Sequence, residues 1–279
     1  MLHARHGVRL ILYSGLGIVL GIVGWGHAFA AKEWPSEREA LVKRQAELVE
    51  RTLAQLMPSS SSRPQLYFLG FAGYGSEAVF KREVLAVRQL FDERFATNGR
   101  SVALINHLST TEEIPLATVS NLDRVLGHIG RVMDTRQDTL FLFMTSHGEK
   151  GRLAVKMLGV ATKQLTPARL KDMLDRSGIK RRVIIISSCH SGSFIAALAS
   201  PTTLVMTAAR ADRSSFGCED RRRWTYFGDA YFNRALRSET SFRKAFARAK
   251  RLITLWETRD RVGRSLPQIA GGEALTDID

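Results

Sequence analysis

The chain has 279 residues, of which 44 % are hydrophobic and 8 % aromatic, and a formal net charge of +14. That length and apolar content suit one large domain with a substantial core and exclude a disordered chain. The basic excess favours acidic partners. However, Arg176, Lys180 to Arg182, Arg221 to Arg223 and Arg243 to Arg251 are scattered over predicted helices instead of forming one stripe interleaved with aromatics, so no nucleic-acid partner is expected.

The amino terminus reads as an export segment. Arg5 and Arg9 precede an apolar run from about Leu10 to Gly26, and Ala28-Phe29-Ala30 supplies a small-x-small cleavage site. Residues 1–30 are therefore expected to be a signal peptide or, left uncleaved, a membrane anchor through residues 10–26 with its positive flank inside. The expected location is the periplasm, either free or anchored in the inner membrane and facing it.

Residues 31–64 follow as an amphipathic helix and a linker. Val42, Ala46, Val49, Leu53 and Leu56 recur at helical spacing between Ser36 and Met57, and Pro58-Ser-Ser-Ser-Ser-Arg-Pro64 ends the helix. That helix is expected to pack on the domain that follows, residues 65–279.

From Gln65 onward strands and helices alternate. Leu66–Phe71 reads as a strand, Ser76–Ala96 as a helix, Val102–Asn106 as a second strand and Asn121–Met133 as a helix. Strand Thr139–Thr145 precedes a helix over Thr166–Arg176, where Thr166 caps and Pro167 takes the first helical position. Strand Arg182–Ser187, a short helix near Ser193–Leu198 and strand Thr203–Thr207 come next. Helices near Asp229–Ser238 and Ser241–Thr258 precede a last short strand at Pro267–Ala270. This alternation predicts a parallel-rich sheet covered on both faces.

The chemistry gathers at two strand ends. Leu140–Met144 runs into Thr145-Ser146-His147-Gly148, and Val183–Ile186 runs into Ser187-Ser188-Cys189-His190-Ser191-Gly192. Parallel strands of an open α/β sheet deliver their last residues to one common edge, where active sites form. A cysteine and a histidine arriving there suggest a thiolate nucleophile and the imidazole that takes and returns its proton. Small neighbours leave room for a substrate, and the main-chain amides of Gly148 and Cys189 are candidate donors to a developing oxyanion.

Other chemistries fit less well. A Cys-x5-Arg phosphatase loop would need arginine where Ile195 stands, and no Gly-x-Ser-x-Gly elbow occurs. No Cys-x-x-Cys or His-x-x-x-His spacing accompanies His147, Cys189 and His190, so neither a metal nor an organic cofactor is expected. The second cysteine, Cys218, leaves a disulfide to Cys189 open, which would silence the nucleophile. A free Cys189 is the favoured reading.

Together Thr-Ser-His147-Gly148, Ser-Cys189-His-Ser-Gly192 and the downstream Thr207-Ala-Ala209, Ser214-Ser-Phe-Gly-Cys218 and Thr225-Tyr-Phe-Gly-Asp229 resemble the legumain family of cysteine peptidases, in its exported bacterial branch. The likeness runs from about Leu66 to Ala270. It implies a caspase-like three-layer α/β/α sandwich with a six-stranded, mostly parallel sheet. It also implies a cysteine endopeptidase acting on peptides or proteins through a thioester acyl-enzyme. His147 would be the general acid/base, Cys189 the nucleophile, and Gly148 and Cys189 the oxyanion hole. Asp229 falls where asparaginyl endopeptidases place the acidic floor of the primary pocket, with Ser215 on its wall and a basic donor at Lys81 or Arg82, so cleavage after Asn or another small polar residue is implied. Where plant and animal members carry Asn-Tyr-Arg-His, this chain has Val79-Phe-Lys-Arg82. The same dyad also serves a transpeptidase or transamidase, and a non-catalytic binding module on the same fold is the reading from another class.

Overall fold

The computed structural model describes residues 34–60, 63–157 and 160–276. The export segment of residues 1–30 lies outside them. Among the described residues, no helix is long and apolar enough to cross a membrane.

A six-stranded sheet in the order β2-β1-β3-β7-β8-β9 organises the domain. Its strands are β1 (Leu66–Ala72), β2 (Ser101–Ile105), β3 (Thr139–Thr145), β7 (Arg181–Ser187), β8 (Thr203–Thr207) and β9 (Gln268–Ala270). The first five are parallel, and β9 closes the edge antiparallel to β8. β1, β3 and β7 are nearly continuous apolar runs because both of their faces are covered.

The pleat divides those runs between two cores. On one face Leu142, Met144, Ile184 and Ile186 meet α1 (Trp34–Ala54), α3 (Val119–Val132), α4 (Pro167–Arg176) and α5 (Ile195–Leu198). On the other, Phe141, Phe143, Val183 and Ile185 meet α2 (Ala78–Arg94), α6 (Tyr226–Gly228) with the π-helical turn Asp229–Ala235 that continues it, and α7 (Phe242–Arg259). The expected three-layer α/β/α sandwich is the architecture found, and Thr166 caps α4 ahead of Pro167 as the sequence predicts.

α1 is part of this body. Leu48, Val49, Leu53 and Leu56 are buried, and the Gln45 side chain spans to the Thr111 carbonyl and the Leu116 amide at 2.9 and 2.7 Å. The linker then turns back at Ser59, whose amide donates to the Val132 carbonyl.

One element has no counterpart in the expected order. Between β3 and α4 the chain forms an antiparallel meander of β4 (Gly148–Glu149), β5 (Arg152–Met157) and β6 (Val160–Leu165). It stands over the carboxyl edge of the main sheet, where the loop after β1 joins it through Tyr74 and Lys156. The Lys156 amide donates to Gly73, and the Gly75 amide donates back to Lys156.

Candidate active site

Sheet register decides where the two reactive side chains emerge. β3 and β7 are adjacent and in phase, with Thr145 opposite Ser187. His147 and Cys189 each follow two residues later, and the Ser146 amide donates to the Ser187 carbonyl across the gap. A Cβ built on Gly148 would lie 2.5 Å from the Cys189 carbonyl oxygen and 2.6 Å from Ser188 Oγ. The segments carrying the histidine and the cysteine therefore touch, and only glycine fits between them.

The turn after Cys189 is held in an unusual shape. His190 has φ of +56°, a left-handed conformation that costs a non-glycine residue about 1–3 kcal/mol and persists only where surroundings enforce it. Here the His190 amide donates to the Arg213 carbonyl at 2.8 Å, and its Nδ1 lies 3.1 Å from the Ala211 carbonyl oxygen. Ser193 steadies the other side, accepting from the Gly151 amide of the meander at 2.9 Å.

Cys189 and Cys218 are both free thiols. The Cys189 sulfur faces Ser215. It accepts from the Ser215 amide at 3.3 Å, lies 3.7 Å from Ser215 Oγ, and donates to the Ser215 carbonyl at 3.6 Å. No hydrogen bond joins it to His147. Burial pushes the Cys218 thiol above its ordinary range, with the neighbouring Cys189 and Glu219 adding to the shift.

The imidazole of His147 sits in an aromatic bracket. The ring of Tyr74 meets it edge-on at 4.7 Å and that of Phe80 at 5.3 Å. Its Nε2 lies 3.5 Å from Glu77 Oε2. On the meander side, His147 opens onto a cavity of about 310 Å³ lined also by Tyr74, Gly148, Arg152 and Gln164.

Of the four expected pocket residues, Ser215 reaches the sulfur and the other three are engaged elsewhere. Lys81 extends over the β2 end of the sheet, where Nζ donates to Ser109 Oγ at 2.8 Å and lies 3.3 Å from His107 Nδ1. Arg82 grips the loop after Cys218 instead, donating to the carbonyls of Asp220 and Arg222. Asp229 turns its carboxylate to its own helix, accepting from Asn233 at 2.7 Å and Arg234 at 3.3 Å. The physical reason is competition: a hydroxyl and an imidazole from the turn after β2 take Lys81, distant carbonyls take Arg82, and the amide and guanidinium one helical turn on take Asp229.

Two carboxylates stand out that the sequence reading did not single out. Glu77 is one. The other is Glu83, fully buried beneath both strand ends. It accepts from the Thr225 amide and hydroxyl, both at 2.7 Å, and from the Thr145 hydroxyl at 2.8 Å. Ser187 Oγ approaches Thr225 Oγ1 at 3.4 Å, so one polar cluster links the ends of β3 and β7 to the loop before α6. Burial raises the Glu83 carboxyl to about 7, against the lowering effect of those hydrogen bonds. A signal for Glu83 does exist in the chain: with Phe80, Val84 and Val87 it falls on the apolar stripe of α2.

Among the described residues, no group of three or more histidine, cysteine or acidic side chains gathers as a metal site would require.

Residues 118–271, more than half of the chain, match the profile of the peptidase C13 family. The chain belongs to the peptidase C13 family. That matched span contains His147, Cys189, Ser215 and Asp229, and it bears out the resemblance to legumain-type peptidases. Among solved structures, caspase-1 from Spodoptera frugiperda aligns with a TM-score of 0.51 at 15 % identity, covering 77 % of this chain and 92 % of that one. At that identity the likeness shows the fold alone, and the fold is caspase-like. No curated protein matches the chain. Peptidase C13 membership on a caspase-like fold supports a cysteine peptidase acting on peptide or protein substrates.

Proposed function

We propose that this C13 member is an exported cysteine endopeptidase in which Cys189 is the nucleophile and His147 the general acid/base. The imidazole takes the thiol proton, and the thiolate attacks the scissile carbonyl. The main-chain amides of Gly148 and Cys189 then donate to the oxyanion. His147 returns the proton to the leaving amine, giving a thioester on Cys189. Water, deprotonated by the same imidazole, hydrolyses the thioester and frees the enzyme.

The observation that carries this reading is the in-phase pairing of Thr145 with Ser187, which sends both side chains off adjacent strand ends. The contact between Gly148 and the Ser188–Cys189 backbone supports it. Export rests on the charged, apolar and alanine-ended segment of residues 1–30. A small polar residue before the cleaved bond is the proposed preference. Its support is Ser215, whose amide and hydroxyl face the Cys189 sulfur.

Profiling a peptide library with the purified protein alongside Cys189→Ala tests this directly. The wild type should cut after small polar residues and the variant should not cut. Cleavage retained by Cys189→Ala would overturn the assignment of the nucleophile. Cleavage confined to large aromatic residues would overturn the assignment of the pocket.

A further inference from the structure

The sheet order β1-β3-β7 puts three loops in a row along the carboxyl edge. Cys189 leaves β7, His147 leaves the central β3, and Tyr74 and Glu77 belong to the loop that leaves β1, the strand across β3 from β7. Glu77 Oε2 is 3.5 Å from His147 Nε2, beyond the length of a hydrogen bond but within that of an ion pair. That oxygen is shielded from solvent and has no hydrogen-bond partner. A buried carboxylate oxygen left without a donor is costly, and the imidazole is its neighbour.

The position of Glu77 in the chain sharpens the point. It is the residue before α2, and its side chain makes no capping bond to the helix. Asp220, from the loop after Cys218, does that work by accepting from the Ala78 amide at 2.6 Å. The Glu77 carboxylate is thereby released toward His147. Tyr74 and Phe80 fix the plane of the ring between them, so the nitrogen nearest Glu77 cannot swing away without breaking both edge contacts.

Resting on the proposed roles of Cys189 and His147, we infer that Glu77 is the positioning residue of the site. It holds the ring so that Nε2 faces the carboxylate and Nδ1 is left for the thiol, and it stabilises the imidazolium that forms when Cys189 gives up its proton. The proton moves from sulfur to Nδ1, the proton on Nε2 stays there beside Glu77, and no proton passes to the carboxylate. The thiolate–imidazolium pair then gains a third, negative member on the side away from the sulfur.

A mutant cycle decides the matter. The rate of iodoacetamide alkylation at Cys189 is followed by peptide mass mapping at neutral pH, which separates it from Cys218. The proteins are wild type, Glu77→Gln, Glu77→Asp, His147→Ala and His147→Ala/Glu77→Gln. Glu77→Gln keeps the shape of the side chain, and Asp220 keeps the cap, so α2 retains its start. Glu77→Gln should slow alkylation about tenfold and Glu77→Asp should recover part of that loss. On the best library peptide, Glu77→Gln should lower kcat by about tenfold or more with KM nearly unchanged. In the His147→Ala background, adding Glu77→Gln should change nothing, because the partner it acts through is gone. Alkylation of Glu77→Gln at the wild-type rate, or an equal loss in both backgrounds, would overturn the inference. If wild type cuts no peptide, the peptidase reading fails on that result, while the alkylation cycle still decides the role of Glu77.

Discussion

Thr145 and Ser187 are register partners across β3 and β7, and the hydroxyl of each reaches the same cluster around Thr225 and Glu83. Two residues beyond this pair, the chain presents His147 on one strand and Cys189 on the other. The alignment of the site is thus set by sheet pairing, and a buried carboxylate ties the two strand ends to the loop that precedes Asp229.

Glu83 gives the fold a pH dependence with a defined sign. Its carboxyl is raised from the ordinary 4.5 to about 7 in the folded protein. Below about pH 4.5 both states hold the proton; between there and pH 7 only the folded state does. Stability is therefore highest in acid and falls as the pH rises toward 7, by about 3 kcal/mol in all. Glu83→Gln can still accept from Thr225 while its amide donates to Thr145, so it should remove most of that slope. Urea unfolding at pH 5 and pH 8 checks this. A wild-type protein more stable at pH 8 than at pH 5, relative to Glu83→Gln, would contradict it.

Gly148 has no room for a side chain. Gly148→Ala should force the ends of β3 and β7 apart, with a stability cost of about 1–3 kcal/mol and a larger fractional loss of turnover. Thermal melting and steady-state kinetics on one preparation measure both. Wild-type turnover in Gly148→Ala would show that the contact with the Ser188–Cys189 backbone is not needed.

Ser215 touches the sulfur chiefly through its main chain. Ser215→Ala keeps the amide and carbonyl contacts and should retain activity within about threefold, since a net hydrogen bond from its hydroxyl is a small term. Ser215→Tyr should block small-residue substrates while the protein melts normally. Full activity in Ser215→Tyr would move the pocket elsewhere.

α1 and the turn after it bury Val49, Leu53 and Leu56 in the core. Leu53→Ala, at a buried position beside Leu56, should cost about 2–5 kcal/mol in urea unfolding. No change in the midpoint would mean that α1 contributes nothing to the domain.

The central strands of the main sheet were legible because doubly covered strands are short unbroken apolar runs, as Leu140–Met144 and Val183–Ile186 are. His147 and Cys189 were legible for the same reason, since each directly follows such a run. The meander after His147 was not, because β5 (Arg152, Leu153, Ala154, Val155, Lys156, Met157) buries only one face and its apolar run, Leu153 to Val155, is three residues long between two charges. Its period of two is the pattern of a half-buried strand. Glu77 looked like an ordinary residue at a helix start, and nothing local reveals that Asp220, more than a hundred residues later, takes over the cap. The pocket residues were the hardest: Lys81 and Arg82 are taken up by partners distant in sequence, at Ser109 and at Asp220 and Arg222, and only Asp229 by near neighbours, Asn233 and Arg234.

The most direct measurement is covalent capture. A peptidyl acyloxymethyl ketone is incubated with wild type and His147→Ala, and the adduct is located by peptide mass mapping. One adduct is expected, on Cys189, formed rapidly by wild type and about a hundredfold more slowly by His147→Ala. An adduct on Cys218, or labelling of Cys189 at the same rate without the imidazole, would contradict it.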